Sequence, residues 1–145
     1  NSEIGPRKSL PLAAYAPLTE ITGIRFIDLQ YGDTAGERGA FETETGVEVF
    51  HDPDIDQLQD LDAFAAQVAA MDLLVSVSTT AVHFAGALGV PAWVLLNTVP
   101  LSCWMREGET SHLYSSVRLY RQRQAGEWAD VVDAVKEDLG GFKPG

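Results

Sequence analysis

Residues 72–96 read DLLVSVSTTAVHFAGALGVPAWVLL, and the hydrophobic period changes twice within them. Leu73 to Val77 is a short aliphatic, β-branched run of the kind that forms a strand buried on both faces. Ser78, Thr79 and Thr80 follow it with three hydroxyl residues where a helix must begin, and a Ser or Thr there can cap the free N–H groups of the first turn. The helix is predicted to run to about Leu88. Gly89 suits the left-handed residue after the last turn, and Pro91 prevents continuation. Ala92 to Leu96 is a second buried run. The stretch therefore predicts one strand–helix–strand unit with a right-handed crossover.

In such a unit the helix starts at the carboxyl end of the first strand, with unpaired N–H groups pointing outward. That arrangement suits an anion, phosphate above all. Thr79 and Thr80 would add hydroxyl donors, and His83, one turn further on, can face the same crevice or hydrogen-bond a nearby carbonyl. Ala81, Ala85 and Gly86 are small enough for the helix to lie close to the sheet or to a ligand. Turns of this kind also occur in α/β domains that bind nothing there.

The 145 residues are 46% hydrophobic and 21% charged, which fits one globular domain. A net charge of −11 and an isoelectric point near 4.5 disfavour nucleic acid and anionic membrane as partners. Cys103 is the single cysteine, so there is no internal disulfide and no cysteine metal site, and it reads as a small buried hydrophobe in a reducing compartment. The longest apolar stretch, Phe84 to Leu96, is too short to span a bilayer. Residues 1–10, NSEIGPRKSL, lack the apolar region of a signal peptide. Together these features predict a cytoplasmic protein.

The chain read in order gives a helix starting near Ser9 or Leu10 and ending around Pro17 to Gly23, then a strand from Ile24 to Leu29. An acidic helix follows from Thr34 to Thr45, with Phe41 inward and Gly46 at its end, and then a strand from Val47 to Phe50. Residues 51–56, HDPDID, resemble a metal cluster only superficially, because their spacing is irregular and nothing answers them elsewhere. Asp60 is placed to cap a helix whose inward face is Leu61, Phe64, Ala65 and Val68. After residue 96 a long loop carries Trp104, Met105, His112 and Tyr114. Val117 to Tyr120 is a strand, and Glu127 to Leu139 a helix with Trp128, Val131, Val132, Val135 and Leu139 inward. Strands and helices alternate five times, which predicts an α/β fold with a doubly wound parallel sheet. Fingerprints for dinucleotide, ATP-hydrolysing or Gly-x-Ser-x-Gly hydrolase sites are absent from the sequence.

The run SVSTTAVHFAGALGVPAWVLL, with RKSLPLAAYAPL, IRFIDLQYGD and LDAFAAQVAAMDLLVS before it and a Trp loop and SSVRLYRQ after it, resembles a known family. It is similar to the C-terminal, donor-binding domain of GT-B glycosyltransferases, which are built from two facing Rossmann-like halves. The likeness is greatest to bacterial proteins that join tetratricopeptide repeats to such a domain. These are related to the ADP-heptose lipopolysaccharide heptosyltransferases and, more distantly, to protein O-GlcNAc transferases. The pattern that carries it is Ser/Asp-Thr-x-x-x-His-x-Ala-Gly-Ala-Leu-Gly-x-Pro, matched by Ser78, Thr79, His83, Ala85 to Gly89 and Pro91.

The resemblance implies a nucleotide-sugar donor as substrate, with no cofactor and no metal. Its diphosphate would meet Ser78, Thr79 and Thr80, with His83 near the ribose or diphosphate and Lys8 or Arg7 supplying a positive charge. Gln30 would border the nucleoside, and Trp104 the sugar or acceptor. It implies a transferase acting with an N-terminal half, and with tetratricopeptide repeats, that lie outside these residues. The general base usually comes from that other half, so no catalytic residue is assigned and the domain alone is expected to be inactive. Many relatives have Asp at the position of Ser78. The family's first strand is also missing here; it would lie between the strands at Ile24 and Leu73, so two sheet edges would be open to another strand or to an oligomer. The alternative from another class is a non-catalytic module that binds a nucleotide or a protein on the same fold. The third is an α/β domain with a vacant cleft.

Overall fold

The apolar run at 92–96 becomes the middle strand of a parallel ladder. A computed structural model describes residues 10–145. After a 3-10 helix at Leu12–Glu20 come β1 (Phe26–Ile27), α1 (Ala35–Thr45), β2 (Val49–Phe50), α2 (Leu61–Ala69) and β3 (Leu74–Val77). Then follow α3 (Thr80–Leu88), β4 (Ala92–Leu96), a 3-10 turn at Ser102–Trp104, β5 (Val117–Arg121) and α4 (Ala129–Gly141). β4 lies between β3 and β5, parallel to both, with Val94 opposite Ser76 on one side and Leu119 on the other. β1 and β2 form a separate parallel pair. The chain is therefore an α/β, Rossmann-like domain.

All five residues of β4 are buried because helices cover both faces. Its pleat divides them between two cores. Ala92, Val94 and Leu96 pack with Phe64 and Val68 of α2 and with Val82 and Ala85 of α3. Trp93 and Leu95 pack on the other face with Val131, Val132, Val135 and Leu139 of α4 and with Leu18 of the 3-10 helix. Each such large aliphatic side chain contributes roughly 1.5–3 kcal/mol when fully buried.

Gly46 and Gly89 take the left-handed conformation, with φ of 71° and 73°, as the C-caps of α1 and α3. Asp60 caps α2 by accepting the Ala63 N–H at 2.9 Å. Other sequence expectations need correction. The segment at Leu12–Glu20 is a 3-10 rather than an α-helix, and it continues through Pro17, where an end was expected. Leu61, expected to face inward, is 55% exposed, since it opens α2 before the turn that reaches the core. The strands expected at 24–29 and 47–50 shrink to two residues each, and among the described residues β1 and β2 pair only with one another.

Replacing Asp60 by Ala should lower stability by about 0.5–2 kcal/mol in urea unfolding. Leu61→Ala should cost less than ~0.5 kcal/mol. A cost for Leu61→Ala equal to that of a core leucine would contradict its exposed placement.

Candidate functional site

β3 ends at Val77, and the backbone turns through Ser78 and Thr79 into α3, so the first turn of α3 opens at the carboxyl edge of the ladder. Thr79 is the N-cap residue, but its side chain does not cap the helix. Its hydroxyl lies 3.1 Å from Ser76 Oγ, one residue before the strand ends. Thr80, the first helical residue, is exposed. Among the described residues no side chain caps this end of α3, and the sequence expectation of a hydroxyl cap is corrected: the strand's own serine competes for Thr79.

Ser78 and His83 are drawn into an aromatic cluster. Trp104 is 1% exposed, and its indole N–H donates to Ser78 Oγ at 2.8 Å. The indole stacks on His83 with ring centres 5.3 Å apart and planes at 22°. His83 Nδ1 is 3.0 Å from the Tyr114 hydroxyl, the donor being set by the imidazole tautomer. Tyr114 lies flat over Gly86, where a Cβ would come within 2.4 Å of the ring. The small residue at 86 thus serves a tyrosine from the long loop rather than the sheet.

The loop carrying Trp104 is held by one guanidinium. Arg121, the last residue of β5, donates from Nε to Gly108 O at 2.8 Å and from Nη1 to Met105 O at 3.1 Å. Its Nη2 reaches Trp104 O at 2.6 Å and Glu107 O at 3.2 Å. Met105 has φ of 57°, a left-handed conformation unfavourable for a non-glycine residue, and sits inside this clasp. Ser78 also borders a small cleft of about 10 Å³ with Leu95, Leu96, Asn97, Pro100 and Leu101, which is space for about one water molecule.

A second polar cluster follows β1. Asp28 accepts the Gln30 N–H at 2.8 Å and the Thr34 hydroxyl at 2.5 Å, with Arg38 Nε at 3.4 Å and His51 Nδ1 at 3.3 Å from the same carboxylate. His51 therefore turns back to Asp28. Asp52 and Asp56 meanwhile accept N–H groups of their own loop, from Asp54, Leu58 and Gln59. Among the described residues no three His, Cys, Asp or Glu side chains converge as a metal site would require.

The structure brings together Ser78, Thr79, Thr80, His83 and Trp104 at one edge. Trp104 enters this group as a buried packing residue. Gln30 is exposed in the turn after β1, ordered by its backbone bond to Asp28. Arg7 and Lys8 lie outside the described residues. Tyr114 and Arg121 were not expected in the site. Tyr114 is one aromatic in an aperiodic loop, and Arg121 follows a strand run without a motif, so only the folded loop identifies their partners.

The fold and the edge at α3 define an α/β domain whose crevice lies at the carboxyl ends of its strands. No family model matches the chain, and no solved structure matches it. Over 137 residues, 94% of the chain, it is 35% identical to Protein FlbA of Caulobacter vibrioides. It spans only 22% of that relative's length.

Gly86→Ala tests the aromatic cluster, because Ala favours an exposed helix by ~1 kcal/mol over Gly but here must displace Tyr114. The expected result is a net loss of about 1–3 kcal/mol in urea unfolding; stabilisation would show that Tyr114 does not occupy this position. Arg121→Gln should speed amide exchange across residues 104–108 while leaving β4 protected.

Proposed function

We propose that the domain holds a nucleoside-diphosphate sugar at the first turn of α3, as the donor-binding half of a larger inverting, metal-independent glycosyltransferase. The observation that carries this reading is the N-terminus of α3 at the carboxyl edge of β3, with no side-chain cap among the described residues and with Thr80 exposed beside it. Backbone N–H groups and the helix dipole there favour a diphosphate. The resemblance assigns the nucleoside side to Gln30, in the Asp28–Gln30 turn that follows β1. Such a site would lower the barrier by stabilising the departing diphosphate, while a base from another part of the protein deprotonates the acceptor. Trp104 and Tyr114 then act behind the site, fixing Ser78 and His83, rather than touching the sugar. A different observation favours a second reading: Ser78 and His83 are already hydrogen-bonded within the protein, as in a module that binds a nucleotide without transferring sugar.

Thermal unfolding of the full-length protein with ADP, UDP, GDP or dTDP should show stabilisation by about 1–3 kcal/mol for at least one of them at saturation. Thr80→Glu should abolish that shift without lowering the melting temperature of the free protein, because an acidic residue suits the first turn of a helix yet repels phosphate. Lys8→Ala should weaken the diphosphate more than the nucleoside. Absence of any nucleotide shift would remove the donor-binding reading. Binding without turnover of any sugar nucleotide would select the non-catalytic module.

A further inference from the structure

Residues 39–105 contain no lysine or arginine, yet they carry three Glu and six Asp. The rest of the chain is nearly balanced, with twelve acidic against ten basic residues. The ion pairs follow the same division. Glu20, Asp28 and Asp138 each meet a basic side chain, whereas among the described residues no acid of 39–105 is in an ion pair. Like charges gathered in this way repel one another and oppose the compact state, so the segregation costs the domain stability unless an outside partner offsets it.

Four of these acids, Asp54, Asp56, Asp60 and Asp62, are exposed where the chain enters α2. Asp56 Oδ1 accepts the Leu58 and Gln59 N–H groups at 2.9 and 3.1 Å, and Asp60 caps α2. The turn is thus held by its own acids, while the Asp54 and Asp62 carboxylates accept none of these bonds. Between the acids runs an apolar stripe in which Ile55, Leu58, Leu61, Phe64 and Val68 recur at intervals of three or four. Phe64 and Val68 are buried in the core shared with α3 and β4, and Ile55 packs partly against it. Leu58 and Leu61 stay 68% and 55% exposed. They carry the inward stripe of α2 beyond the part of the domain that covers it. The face therefore has an apolar centre, a carboxylate rim and a backbone already fixed, so contact there orders little new structure.

We propose that this face docks a basic, amphipathic polypeptide segment of a partner protein. Aliphatic or aromatic side chains of that segment seat on Leu58 and Leu61, and its lysines or arginines meet Asp54, Asp56, Asp60 and Asp62. Charge complementarity selects the occupant. Nucleic acid and anionic membrane are repelled, and a second copy in a symmetric contact would bring the same acidic face against this one. A neutral segment would leave the carboxylates uncompensated, and a basic segment without apolar side chains would leave the leucines in water. The inference concerns α2 and is independent of nucleotide binding at α3.

The test is fluorescence anisotropy of the full-length protein with a labelled amphipathic peptide of leucine and lysine, about 18 residues or roughly five helical turns long. Two comparison peptides replace its leucines with serine or its lysines with glutamate. The leucine–lysine peptide should bind about tenfold or more tightly than the serine–lysine peptide, and the leucine–glutamate peptide should not bind. Leu58→Ser combined with Leu61→Ser should weaken binding by about tenfold or more without lowering the melting temperature. Asp54→Asn combined with Asp62→Asn should weaken binding and flatten its salt dependence, and Glu42→Gln combined with Glu44→Gln on α1 should leave it unchanged. Failure of the leucine–lysine peptide to bind would overturn the proposal. Equal binding of the serine–lysine peptide, or equal weakening by the α1 and α2 charge substitutions, would overturn it as well, since either is diffuse attraction of a cation to an acidic protein. A large fall in melting temperature for the leucine variant would show both leucines covered within the protein and would also overturn it.

Discussion

The parallel pairing of β4 with β3 and β5 is the constraint on which the rest of the domain depends. A parallel strand cannot return by a tight turn, so each connection must cross a face of the sheet, and those crossings bring α2 and α3 to one side and α4 to the other. Ala92, Val94 and Leu96 then need one set of helices and Trp93 and Leu95 another. Remove the ladder and both cores lose their common wall. The same ladder sets the position of α3, because a helix that follows a parallel strand must start at that strand's carboxyl end.

The candidate site inherits this geometry and adds a layer of aromatic packing. The first turn of α3 is placed by β3, but the side chains around it are placed by the loop between β4 and β5. Arg121 gathers four carbonyls of that loop, which seats Trp104 over His83 and lets its indole reach Ser78. Tyr114 completes the set by closing on Gly86 and reaching His83. The outcome is an edge with an open backbone end at Thr80 and an inner wall whose polar groups already have partners. An anion there would be met first by the backbone and the Thr80 hydroxyl.

Much of the fold could be read from residue order because its signals are local. The switch from a β-branched run to hydroxyls, small residues, Gly89 and Pro91 reflects rules that act over a few residues: capping, left-handed φ and the missing proline N–H. The same holds for Gly46 and Asp60. The readings that failed are those in which distant packing outweighs local preference. Pro17 suits a helix end by local rules, yet the 3-10 helix continues through it. Leu61 fits the apolar face by spacing, yet it precedes the point where α2 meets the core. Thr79 has the chemistry of a cap and the wrong neighbour, Ser76.

The sequence by itself determined the α/β class, the strand–helix–strand unit at residues 72–96 and the grouping of Ser78, Thr79, Thr80 and His83 at one turn, since residues so close in the chain have few ways to be apart. Only the tertiary structure decided that Trp104 is buried against Ser78, that Tyr114 explains Gly86 and that Arg121 holds the loop. Each of these joins residues from separate segments of the chain. No periodicity encodes such contacts, because they arise from how the strands are ordered and which faces the helices cover.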